Sequence, residues 1–140
     1  TMKRLANLLL VLALVALLAA CVPASGGVDE AISQRAEEIA GRLVAAIDAG
    51  DLTAFHADMS EQMSAAFDQK AFEDLSALFQ TRLGAYKSMK MTSISLSEQY
   101  YVALFEMEYE KSPAVVMRLV LEPNEPYKLS GLWFDAPELH

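Results

Sequence analysis

Cysteine is almost missing from this chain: 140 residues carry a single one, Cys21. One thiol excludes an intrachain disulfide framework, and with only two histidines in the chain it argues against a zinc site of the usual cysteine and histidine sets. Glycine is also sparse, at six residues, and none falls in the Gly-rich loop that cradles a phosphate or in a nucleophile elbow. Cations are outnumbered, 11 against 19 acidic residues, for a net charge of −8. An acidic domain repels nucleic acid and anionic membrane surfaces, so neither is expected as a partner recognised by charge. One long apolar run exists, Leu5 to Ala20, broken only by Asn7. At 16 residues it falls just short of the roughly 17 to 25 that cross a bilayer.

That run has the layout of an export signal: Lys3 and Arg4 first, then the apolar stretch, then small residues. Leu18-Ala19-Ala20-Cys21 resembles the lipobox of bacterial lipoprotein precursors. The resemblance implies cleavage before Cys21 and attachment of diacylglycerol to its thiol. Residues 1–20 are then a signal peptide, residues 21–28 a lipidated cysteine and flexible tether, and residues 29–140 a single domain. Loss of Lys3 and Arg4 moves the net charge from −8 to −10. The expected location is the cell envelope, lipid-anchored and extracytoplasmic. Val22, where an inner-membrane retention signal has Asp, favours the outer membrane facing the periplasm in a host with two membranes.

Beyond the tether the hydrophobic period is helical. Ile32, Ala36, Ile39, Ala40, Leu43, Val44 and Ile47 recur at spacings of three and four, one apolar face of a helix opening near Asp29 and Glu30. Gly50 is its expected C-terminal cap, and Asp51 caps a short second helix bearing Leu52, Phe55 and His56. Met59, Met63 and Phe67 continue the buried line through a looser segment. Asp68 caps a third helix, with Phe72, Leu75, Leu78, Phe79 and Leu83 inward, ended by Gly84.

From Tyr86 the period changes to two. The first strand slips phase near Thr92 and Ser93, which predicts a bulge. Tyr101, Ala103, Phe105, Met107 and Tyr109 form one face of the second strand; Val115, Met117, Leu119 and Leu121 line the third. Leu129 and Trp133 are expected inward on the fourth. The outer face carries Val102, Leu104, Val116 and Val120, apolar enough to suit a dimer partner. The fold class expected is α+β: three N-terminal helices packed on a curved four-stranded antiparallel sheet.

The pattern resembles the cystatin-like cone of nuclear transport factor two, ketosteroid isomerase and scytalone dehydratase. More narrowly it resembles an uncharacterised bacterial family, the domain of unknown function 3887, over about residues 30 to 136. The resemblance is carried by Ala49-Gly50-Asp51, by the run from Met59 to Phe67, by Leu83 to Lys87 and by Leu129 to Phe134. It implies a sheet wrapping a long helix, with a cavity at the wide end lined by Phe55, Tyr101, Phe105, Tyr109 and Trp133. An isomerase-like site in such a cone uses a buried carboxylate beside a tyrosine, which Asp58 or Asp135 could supply.

No catalytic constellation and no metal set stands out among these residues, and no cofactor is expected. His56 reads as a half-exposed surface histidine, and Asp68, Glu73 and Asp74 as caps and solvated groups. Glu106, Glu108 and Glu110 share one strand face, where charge keeps an edge soluble. The expected function is a lipid-anchored extracytoplasmic binding or interaction module, leaning away from enzyme, for a small apolar ligand or an envelope protein. The alternative is an isomerase, dehydratase or hydrolase using the cone.

Overall fold

The computed structural model describes residues 28–140. The leader, Leu18-Ala19-Ala20, Cys21 and all of the tether but Val28 lie outside the described residues.

Helix α1 (Glu30–Ala49) begins where the Asp29 side chain accepts the Ala31 N–H, and Glu30 adds a carboxylate at the positive helix end. Its eight buried residues include the seven expected, plus Ala46. Gly50 stops it in the left-handed region (φ 68°), its N–H turning back onto the Ala46 and Ile47 carbonyls. Asp51 caps α2 (Leu52–His56) through the Ala54 N–H.

The segment read as loose is instead a helix, α3 (Glu61–Ala66), so among the described residues four helices precede the sheet rather than three. Ser60 explains it: the hydroxyl accepts the Met63 N–H at 3.2 Å, satisfying a donor that the first turn leaves open. Helix α4 (Gln69–Arg82) is capped by Asp68, whose carboxylate accepts the Ala71 N–H at 2.8 Å.

Four strands follow as an antiparallel meander, β1 (Tyr86–Ser97), β2 (Tyr100–Tyr109), β3 (Ser112–Leu121) and β4 (Leu129–Asp135), in the order β1-β2-β3-β4. The sheet is open, with β1 and β4 at its edges. The expected bulge in β1 is present: Met91 pairs with Phe105 and Ser93 with Leu104, leaving Thr92 as the extra residue. Thr92 donates its hydroxyl to the Leu104 carbonyl at 3.2 Å, closing the gap in the ladder.

A second bulge sits in β4, and it overturns the expected orientation of Trp133. Leu121 pairs with Leu129 but Val120 pairs with Gly131, so Ser130 is the unpaired extra residue. Because strand side chains alternate, one extra residue exchanges the faces beyond it. Leu129 points inward as expected; Leu132 and Phe134 follow it, and Trp133 goes to the outer face, 52% exposed.

The core lies between α1 and the inner sheet face. Ile39, Leu43, Phe105, Met117, Leu119 and Leu129 are buried to 2% exposure or less. Phe55 closes the end near α2, 4.8 Å from the Phe72 ring and 5.4 Å from that of Phe67. A short 3-10 turn (Pro137–Leu139) is tied down by the buried Ser112 hydroxyl, which donates to Glu138 at 2.7 Å.

Candidate functional site

The residues expected to line one cavity are dispersed. Phe55 is wholly buried among Phe67 and Phe72. Tyr109 is buried between Phe79 and Tyr86, and burial pushes its hydroxyl well above the ordinary tyrosine value, with Tyr86 and Asp48 adding to the effect. Phe105 is buried too, and reaches the floor of an open hollow of about 430 Å³ between α1 and β1, bordered by Glu37, Met89 and Met91. Tyr101 is half-buried against Tyr127, with ring centroids 6.1 Å apart. Trp133 is on the other side of the sheet.

Asp58 is the buried carboxylate, at 8% exposure, yet it faces no tyrosine. Arg35 Nη2 donates to its Oδ1 at 2.8 Å and Arg42 Nε lies 3.2 Å from its Oδ2. Arg35 Nε also donates to the Pro126 carbonyl at 3.1 Å, and the Asp58 carbonyl accepts the Leu129 N–H at 2.8 Å. A carboxylate with both oxygens on guanidinium groups is held in one orientation, which suits a brace between α1, the loop after α2 and β4 better than a group free to turn towards a ligand.

The other titratable candidates have local roles. His56 is half-buried, its Nε2 2.6 Å from the Phe67 carbonyl, joining α2 to the end of α3. Asp135 is exposed and lies 2.9 Å from His140. Asp74 pairs with Lys70 and Glu73 with Gln69, both on the solvent side of α4. Of the three strand glutamates, Glu106 and Glu108 stand on the outer face. Glu110 turns back instead, its Oε2 accepting the Ala85 N–H at 3.3 Å. Among the described residues no group of three His, Cys, Asp or Glu side chains could hold a metal ion.

What the fold does assemble is the outer sheet face. Register brings Leu104, Arg118 and Trp133 side by side across β2, β3 and β4, and Val102, Val120 and Gly131 into the adjoining row. The Arg118 guanidinium lies 4.9 Å from the Trp133 ring centroid, a cation–π contact. Val116 is 39% exposed one row away. Lys90, Glu106 and Asp135 share the row of Val116 and flank the patch on that side, so a large aromatic and an arginine stand beside charged groups, residue types enriched in interfaces. Sequence reading found four of the apolar residues but placed Trp133 on the wrong face; Ser130 carried too weak a signal to reveal the bulge.

A helical layer over one face of an open antiparallel meander, braced by the Asp58 carboxylate and exposing an aromatic patch on the other face, defines a small α+β domain with a surface rather than a cleft as its most distinctive site. The chain belongs to the family described as a protein of unknown function (DUF3887), whose model matches residues 40–132. No curated protein and no solved structure matches it at a significant level.

Proposed function

We propose that this is a lipid-anchored, extracytoplasmic interaction module that binds protein through the outer face of its sheet. The observation that carries this reading is the exposed Trp133 on the edge strand β4, beside Arg118, on the face that also carries Leu104, Val102, Val116 and Val120. A half-exposed tryptophan on a sheet face costs apolar exposure in the isolated domain, and a protein partner removes that exposure. The likeness to the nuclear transport factor cone belongs to the same reading. Helices followed by a four-stranded meander support it, while Phe105, Met117 and Leu119 fill the space between sheet and α1.

The anchor is tested by Cys21→Ala, which should abolish lipid labelling and leave unprocessed precursor. Normal labelling of that variant contradicts the anchor. The binding face is tested in cells with a photo-crosslinking amino acid at Val116 or, on the helical side, at Glu73. Protein adducts from position 116 and none from 73 are expected; adducts from 73 alone overturn the choice of face.

A further inference from the structure

We infer that a hollow on the flank of α1 binds an organic ammonium group against the ring of Tyr127 and the carboxylate of Glu125. The site lies apart from the protein-binding face proposed above and stands independently of it.

The hollow is open, about 370 Å³ in volume, and lies between the N-terminal half of α1 and the turn that joins β3 to β4. Ala31, Gln34, Arg35 and Glu38 form its helical wall; Glu125, Pro126 and Tyr127 form the other. None of the four helical residues is on the buried face of α1, so the hollow stands outside the layer between helix and sheet.

The walls select charge. Arg35 is the one cation among the lining residues, and its donors are already engaged: Nε with the Pro126 carbonyl at 3.1 Å, Nη2 with Asp58 at 2.8 Å, and Nη1 towards Glu38 at 3.7 Å. An incoming anion finds no free guanidinium donor there and meets two glutamates. Arg35 and Arg42 together balance Asp58 and Glu38. That leaves the exposed Glu125, which forms no ion pair among the described residues, as the uncompensated charge. A compact metal ion needs several converging oxygen ligands, and among the described residues no three carboxylate or histidine groups converge. A cation whose charge is spread over carbon suits the remaining wall: the Ala31 methyl, the Pro126 ring and the phenol of Tyr127, whose face attracts positive charge.

Tyr127 is fixed there against a backbone preference. Its φ is 54°, in the left-handed region that favours glycine or asparagine over a bulky side chain. Its N–H donates to the Asn124 carbonyl at 2.8 Å and its ring lies edge-on to Tyr101, which together hold that conformation. Backbone strain of this kind gathers at ligand clamps. The hydroxyl is held above the ordinary tyrosine value, by loss of water first and then by Glu125, Tyr101 and Asp29, so the ring stands in a negative field.

Two sources carry such a group: a free amine and the amine headgroup of a phospholipid. The second is within reach on the anchor reading, because the six residues 22–27 separate Cys21 from Val28 and span at most about 25 Å.

The test uses the full chain in an uncharged glycoside detergent, titrated with choline chloride and followed by the amide signals of Ala31 and Tyr127. Saturable shifts are expected, with a Kd on the order of 10 mM, and sodium chloride at equal ionic strength should give none. E125Q should weaken choline binding about threefold, the worth of one exposed charge contact. Y127A should weaken it about fivefold, while Y127F should stay within about twofold, because the ring and not the hydroxyl makes the contact. Choline shifts that do not saturate, or affinity unchanged by E125Q, overturn the site. Glu125 is exposed, so the E125Q result stands whatever Y127A does to folding. The sources separate in phosphatidylcholine nanodiscs. A headgroup in the site makes free choline bind at least threefold more weakly than in detergent, whereas equal affinity assigns the site to free amines. A chain that stays out of the discs contradicts the anchor reading and leaves the detergent result standing.

Discussion

The indole of Trp133 covers Gly131: a Cβ built on Gly131 would lie 2.6 Å from both Cζ3 and Cη2 of the ring, closer than carbon atoms approach. Two residues apart beyond the bulge, they share the outer face, and the missing side chain at 131 is what lets the ring settle beside Arg118. Gly131→Ala should therefore displace the indole, which is exposed and can swing away, at a cost of roughly 0.5 to 1.5 kcal/mol. The check is tryptophan emission, shifted to longer wavelength with the urea midpoint only slightly lowered. Unchanged emission would mean that the ring does not rest on Gly131.

Asp58 braces three segments through Arg35 and Arg42. Asp58→Ala removes the buried carboxylate from Arg35, whose side chain is 21% exposed, and from the half-exposed Arg42, leaving both only the exposed Glu38, at 3.7 and 3.5 Å. The expected loss is roughly 1 to 3 kcal/mol, below that of a fully buried pair because one arginine is solvated. Chemical denaturation measures it, and a loss under about 0.3 kcal/mol would show that the brace carries no stability.

Tyr109 gives a pH signature. Burial holds its hydroxyl above the usual tyrosine value, so the folded chain keeps that proton after the unfolded chain has released it. Its contribution is fully present below the unfolded value, about 10, and declines as pH rises beyond it. Tyr109→Phe should lose less stability than the unaltered chain between about pH 9.5 and 11. Identical slopes would place the hydroxyl in water.

Ser76 is buried on α4, and among the described residues its hydroxyl has no hydrogen-bond partner. Replacing it by alanine removes an unsatisfied polar atom and improves helix propensity. Ser76→Ala should raise stability by about 0.5 to 1.5 kcal/mol, read as a higher urea midpoint at unchanged slope. A lowered midpoint would show that the hydroxyl is bonded.

Much of the fold was legible because its signals are local. Asp29, Asp51 and Asp68 cap their helices where the sequence places them, and seven residues of α1 announce its buried face through spacing alone. Thr92 revealed its bulge because the inward set on either side of it, Met91 and Ile94, breaks step. Ser130 concealed the second bulge because Leu129, Gly131 and Trp133 keep a regular period of two, which imitates an uninterrupted strand. The Asp58 brace was illegible for another reason: Arg35 is 23 residues away in sequence, and only the packing of α1 beside the Pro126 turn brings them together. The outer-face patch was half legible, its valines by parity and its tryptophan not at all.

The claim that the outer sheet face is a working protein surface can be read from Trp133 directly, since it is the single tryptophan of the chain. Acrylamide quenching of its fluorescence, followed from dilute detergent solution to the chain in its own envelope, reports whether that face is covered. Strong quenching in dilute solution and at least threefold weaker quenching in the envelope is the result predicted. Equal quenching in both would contradict the account, because the face would then stay bare where the protein works.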